Sequence, residues 1–351
     1  MAPRARSAAL SHLLDILGHA VVLPEERVRV ETILTTERER VDGQLAQLSP
    51  KLRERLMANL GLTRVADFGS SPSAEAGRSA AAVALQQSAL APEQLGLIID
   101  YSTLAADCPR IWSLANDVQG HLKADSALAL SVCGAGCAGL HAALSVAARM
   151  LNADPTLGPA LLVAADRAAP LGRSCLPISI MADAASALVV ARPLTHTRPL
   201  AKVRSVALQQ VGRFSRVLVA EGHPPHMLVD GVTFERQVLP LHFVMLHRVL
   251  TRALDEAQLK LADLDGLVYP NTTALDRQGI VRGLGFEAHH LLGPGHANLG
   301  HAFANDMLIN AAALFEPPND SGPIRTAWLA AGAGFSWGAA IVEFGVDHAP
   351  R

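Results

Sequence analysis

Cys137 stands in the segment SVCGAGCAGLHAALSVAARML, where small residues crowd a cysteine and an Ala-rich apolar stretch follows. The pattern predicts a buried helix that opens at Cys137. A helix start offers free N–H groups and the positive end of aligned peptide dipoles, which favours an anion there. A thiolate so placed can attack a thioester and hold the acyl group covalently. The small neighbours leave room for a substrate to reach the sulfur. A free cysteine is also a common inert core residue. Cys133, Cys137 and His141 recur at every fourth position, a spacing that could put metal ligands on one helix face. Gly134 and Gly136 argue against a helix running through Cys133, and no second ligand cluster follows, so no metal is expected. Residues 127–151 have the length of a membrane span; their early glycines, His141 and Arg149 fit a buried helix better.

Composition narrows the class. The 351 residues are 50% hydrophobic and only 4% aromatic, with a net charge of −2. That length suits two domains or one large duplicated unit. An interior of alanine and glycine implies helices packed closely on a sheet. No basic run points to nucleic acid or an anionic membrane. The four cysteines, Cys108, Cys133, Cys137 and Cys175, have no disulfide-framework spacing. The N-terminal stretch lacks an uninterrupted apolar signal core. A reduced, cytoplasmic protein is expected.

The elements that must position Cys137 come in pairs. Strand and helix signals alternate, which argues for an α/β fold. Residues 84–105 and 252–274 each read as helix, polar turn and short apolar strand ending in Ser/Thr-rich residues. Cys137 with its helix precedes the strand PALLVAAD; His301, in HAFANDMLINAAALF, precedes the strand IRTAWLAAG. Cys137 stands as far before Ala160 as His301 stands before Ile324. ADAASALVVAR and FSWGAAIVEFG close the two halves. The expected organisation is therefore two duplicated βαβ-type halves, residues 1–195 and 196–351. It puts Cys137 and His301 at equivalent helix N-termini that meet at the centre. Residues 195–240 read as a connection between the halves. His223, His226, His242 and His247, in or just beyond it, read as loop and helix-surface residues among the 14 histidines. The charged stretch TTERERVDGQLAQLSPKLRERL reads as a solvated helix.

Four motifs carry a family resemblance over most of the chain: GAGCAGL around Cys137, ADAASALVV from Ala182, LDGLVYPNTT from Leu264 and GAGFSWGAAIVEF from Gly332. Together they resemble the thiolase superfamily, and within it the ketoacyl-ACP synthase III branch. The resemblance implies a five-layered αβαβα fold and a homodimer, or a heterodimer with a related subunit. It implies a cysteine nucleophile acylated from acyl-coenzyme A or acyl carrier protein, with no further cofactor. The oxyanion site would be built from the N–H of Cys137 and the loop at Ala333 and Gly334, whose glycine permits close approach.

The family's usual catalytic set is Cys, His, Asn, and here the last two are exchanged. Asn271 occupies the histidine position and His301 the asparagine position, with no gap between the landmarks. The Gly-His-x-Phe-x-x-Asp pattern from Gly300 to Asp306 is similar to that of ketoacyl synthase III-like acyltransferases of secondary metabolism. Decarboxylative condensation draws on two neutral donors aimed at an enolate. Transfer to an alcohol or amine needs a base beside the incoming nucleophile, which His301 oriented by Asp306 would supply. Five residues of separation would place Asp306 poorly for that task on a regular helix. Asn298 is a further polar candidate. The expected function is acyl transfer or condensation with a small-molecule or carrier-bound acceptor, in secondary-metabolite or fatty-acid-like biosynthesis. The competing reading is a non-catalytic partner subunit, marked by the missing histidine at position 271; retention of Cys137 argues against it.

Overall fold

Strands such as ALLVAAD and AASALVVA have no polar alternation, and a strand of that kind must be covered on both faces. The computed structural model describes residues 12–36, 49–104, 107, 109, 111–193, 198–223, 225–293, 296–316 and 322–345. The first half contains β1 (Leu14–Val22), α1 (Ser73–Gln87), β2 (Leu97–Asp100), α2 (Leu114–Leu122), β3 (Leu128–Ser131), α3 (Gly139–Ala153), β4 (Ala160–Asp166) and β5 (Ala184–Ala191). The second contains β6 (Ala201–Gln210), the ribbon β7 (Leu218–Gly222) and β8 (Pro225–Val229), α4 (Leu239–Ala257), β9 (Gly266–Val268), α5 (Ala274–Gly283), β10 (Leu291–Leu292), α6 (Asp306–Ala311), β11 (Ile324–Gly332) and β12 (Ser336–Phe344).

Ten of these strands form one sheet in the order β10-β9-β11-β12-β6-β1-β5-β4-β2-β3. The order is symmetric about its middle: β1-β5-β4-β2-β3 on one side matches β6-β12-β11-β9-β10 on the other. The halves meet where β1 runs antiparallel to β6, with Leu14 opposite Val203 and Ile16 opposite Ala201. In each half the outer strands are parallel and the inner ones antiparallel.

The duplication is completed by the helices. α1 and α2 cover the outer face of the first half, and α4 covers that of the second. α3 packs on β2 and β4 of its own half and on β6 and β12 of the other; α6 packs on β1 and β5 of the first half and on β9. These two helices form the central one of five layers. α3 is buried on most of its surface, and six of its ten buried residues are Gly, Ala or Ser. Small side chains let both halves of the sheet approach one helix closely, the packing that the composition implied.

The structure corrects two expectations. Residues 195–240 are more than a connection: they include β6, which pairs at the centre of the sheet, and the β7–β8 ribbon, which pairs only with itself among the described residues. The charged stretch is not a continuous helix within the described residues. Its described ends, 35–36 and 50–56, lie in helices at Val30–Thr36 and Pro50–Leu60, the second opening after Ser49, and residues 37–48 lie outside the description, as does Cys108.

Two glycines test how tightly the layers are packed. A Cβ at Gly18, in β1, would lie 2.1 Å from the carbonyl oxygen of Ala84 in α1, whereas one at Gly120, in α2, meets nothing within 4 Å. Gly18→Ala is expected to destabilise the fold by about 1–3 kcal/mol through overpacking. Gly120→Ala should stabilise it by about 0.4–1 kcal/mol through reduced unfolded-state entropy. Urea midpoints at unchanged slope would show the opposite signs; equal shifts would contradict the packing described.

Candidate active site

The central layer brings Cys137 and His301 together. Cys137 lies in a 3-10 turn, Gly136–Ala138, that leads directly into α3. His301 comes from the other half. Its backbone is pinned to the first half by His301 N–H donating to Ile180 O (3.0 Å) and Ala182 N–H donating to His301 O (2.9 Å). His301 therefore precedes its helix rather than opening it: a 3-10 turn at Phe303–Asn305 intervenes, and α6 begins at Asp306. That turn overcomes the spacing problem seen in the sequence. His301 Nδ1 donates to Asp306 Oδ2 at 2.5 Å, and His301 Nε2 lies 3.3 Å from Cys137 Sγ.

Asp306 has no exposed surface, and four groups hold it. Besides His301, the backbone N–H groups of Ala302 (2.9 Å) and Asn271 (2.7 Å) and the Asn271 amide (3.2 Å) donate to its carboxylate. Asn271 is itself fixed, its Oδ1 accepting from Arg277 Nη1 and Asn310 Nδ2, each at 3.1 Å. The same two side chains hold the carbonyl of Tyr269. The His301 pKa is pushed up to about 10. Burial opposes that rise, but the negative charges of Cys137 and Asp306, with their hydrogen bonds, outweigh it.

A cavity of about 820 Å³ opens in front of the sulfur. Cys137, His301 and Phe303 lie in its wall, with side chains such as Met181, Leu218, Val238 and Phe335 making much of it apolar. The loop from Gly332 to Phe335 borders it beside Cys137. A Cβ at Gly136 would sit 2.7 Å from Ala333 N, and one at Gly332 would sit 2.6 Å from Cys137 N. Glycine at both positions allows this loop and the cysteine turn to lie backbone against backbone.

By sequence, no family model and no curated protein matches the chain. Solved structures do. The acyltransferase ChlB3 superposes with a TM-score of 0.77 at 24% identity, covering 94% of this chain and 97% of that one. The 3-oxoacyl-[acyl-carrier-protein] synthase III of Aquifex aeolicus gives 0.76 at 20% identity, covering 94% and 100%. OleA of Xanthomonas campestris, crystallised with lauric acid and lauroyl-CoA, gives 0.79 at 18%, covering 95% and 99%. The chain therefore shares the thiolase-like fold of these proteins. The five-layered α/β architecture implied by the sequence motifs is thus present.

Within this thiolase fold the expected site residues do not all stand together. Cys137, His301, Ala333 and Gly334 border the cavity, while Asn271 and Asp306 lie behind the imidazole, outside the cavity lining. Asn271, expected as a catalytic group, instead positions Asp306. Asn298 is elsewhere, its Oδ1 accepting from Thr63 Oγ1 at 2.7 Å. Cys133 also borders the cavity but is exposed on a loop, and the His141 ring turns away to donate from Nε2 to Trp328 O at 2.9 Å. Cys133, Cys137 and His141 form no metal cluster. Sequence reasoning missed Arg277 and Asn310, which have no motif to mark them, and His242, set aside as a surface histidine but present in the cavity wall.

The electrostatics can be read from one titration. In protein labelled at histidine, the His301 ring should titrate near pH 10. Cys137→Ala and Asp306→Asn each remove an anion and should lower that midpoint, because less charge then favours the imidazolium. Nuclear magnetic resonance would follow it; a midpoint unmoved in both variants would contradict the assigned cause.

Proposed function

We propose that the protein is an acyltransferase that loads an acyl group from a thioester of coenzyme A or acyl carrier protein onto Cys137 and passes it to an alcohol or amine. The observation that carries this reading is the unbroken chain from Cys137 Sγ through His301 to Asp306 at the wall of a largely apolar cavity. The first step is transfer of the Cys137 thiol proton to His301 Nε2, 3.3 Å away, which leaves a thiolate beside an imidazolium. The sulfur adds to the thioester carbon, and the oxyanion is held by the N–H groups of Cys137 and Ala333, with Gly334 letting the loop come close. The donor C–S bond breaks, and the departing sulfur takes the Nε2 proton. His301 is then neutral and accepts the proton of the acceptor O–H or N–H as that atom attacks the acyl group. Expulsion of the Cys137 thiolate restores the starting pair. Asp306 keeps the ring oriented and strengthens it as a base.

The Asn271 amide is engaged by Asp306, so it is not aimed at an enolate beside Cys137 as condensation would require. The similarity to ChlB3, an acyltransferase, and to OleA, which binds lauroyl-CoA, supports an acyl thioester as donor. An intact nucleophile–base chain argues against a purely non-catalytic subunit. The reading includes a dimer, of identical or related chains, acting in the cytoplasm in secondary-metabolite or fatty-acid-like biosynthesis. No helix among the described residues is long and apolar enough to cross a membrane.

Intact mass spectrometry tests the two half-reactions separately. Incubation with acyl thioesters should add one acyl mass; Cys137→Ala should abolish the adduct and Cys133→Ala should retain it. His301→Ala should slow discharge to the acceptor by about 10²–10⁴-fold, the scale of lost acid–base help, and slow loading less. Discharge of the His301→Ala adduct at the wild-type rate would remove His301 from the mechanism.

A further inference from the structure

The cavity wall carries a second polar chain that the acyl-transfer steps do not use. Trp337 Nε1 donates to His242 Nδ1 at 3.2 Å, which leaves the proton of the neutral ring on Nε2. That N–H meets the Tyr269 hydroxyl at 3.2 Å. Burial lowers the His242 pKa, keeping the ring neutral. Tyr269 donates onward to Asp276 Oδ2 at 3.0 Å, and Thr272 Oγ1 donates to the same oxygen at 2.7 Å. His242, Tyr269, Thr272 and Asp276 all line the cavity.

The chain ends on a carboxylate that is only half satisfied. Asp276 is the third residue of α5, and its N–H donates to the Thr273 cap. Its hydrogen bonds from side chains all fall on Oδ2; among the described residues Oδ1 has none, and Asp276 forms no ion pair. Arg277, next in sequence, turns its guanidinium to the carbonyls of Tyr269 and Pro270 and to Asn271. Glu235 and Arg282 also border the cavity and offset one another in charge. A half-buried carboxylate with one free oxygen, beside apolar surface, favours a hydrogen-bond donor, and an ammonium most of all. It lines the same cavity as Cys137 and His301. Thr272, which holds Asp276, is the neighbour of Asn271, which holds Asp306.

Resting on the acyl-transfer reading above, we propose that Asp276 recognises the acceptor, and that the acceptor is an amino alcohol or diamine. Its nucleophilic end meets His301 and its ammonium end binds Asp276 Oδ1. Thr272 and Tyr269 hold the carboxylate in place, and His242 holds Tyr269.

The test compares aminohexanol with hexanol, two alcohols of equal chain length that differ in the terminal ammonium. Calorimetry on the unacylated full-length protein should show aminohexanol binding about tenfold or more tightly, the scale of a charge-assisted hydrogen bond. Asp276→Asn should erase the preference and Glu235→Gln should keep it. Tyr269→Phe removes one donor to the carboxylate but not its charge, so the preference must persist there; it serves if Asp276→Asn proves unstable. In discharge of the acyl adduct, aminohexanol should have the lower KM, and Asp276→Asn should remove that difference with a smaller effect on kcat. Equal binding of the two alcohols to the wild type, or a preference that survives Asp276→Asn or is lost in Glu235→Gln, overturns the proposal. Failure of every thioester to form an adduct would overturn the acyl-transfer reading instead, while the binding comparison still decides the role of Asp276.

Discussion

A carboxylate with no access to water is tolerated only when its charge is matched and its lone pairs are filled, and the site is organised around this requirement at Asp306. His301 supplies the matching charge, and the peptide N–H groups of Ala302 and Asn271, with the Asn271 amide, supply the remaining hydrogen bonds. Each donor is fixed in turn. The segment from Tyr269 to Asn271 is held by Arg277 and Asn310, and the backbone of His301 is bound to the opposite half. The imidazole direction is thus set by a rigid frame behind it, with the sulfur as its remaining partner in front.

The frame exists because the halves share a central layer. α3 carries the sulfur at its start and reaches strands of both halves; α6 does the same with Asp306 at its start. A cysteine from one half and a histidine from the other need no long loops to meet. The small residues of α3 help permit it, since bulky side chains there would force the two halves of the sheet apart.

Much of this was legible in the sequence. Paired segments with matching spacing gave away the duplication, uniform apolar strands the buried sheet, and glycines around a cysteine the tight turn that carries Cys137. The duplication also singled out His301 among 14 histidines. The contact between His301 and Asp306 was less legible. A helix was expected from His301, and a helix would have separated the two side chains. The chain instead passes through left-handed conformations at Gly300 (φ +76°) and Phe303 (φ +56°). A phenylalanine seldom adopts such a φ, so no local preference announced the turn. His242 was hidden for another reason: the cavity it borders is assembled from segments far apart in the chain, and its own amphipathic helix looks ordinary.

The β7–β8 ribbon is cavity wall built outside the main sheet. It forms cavity wall through Leu218, Val219, Ala220 and Met227, yet it pairs with no strand of the main sheet among the described residues. Its length and side chains can therefore drift without disturbing strand register or the frame behind His301. Altering the ribbon would reshape the cavity while the contacts among Cys137, His301 and Asp306 stayed in place.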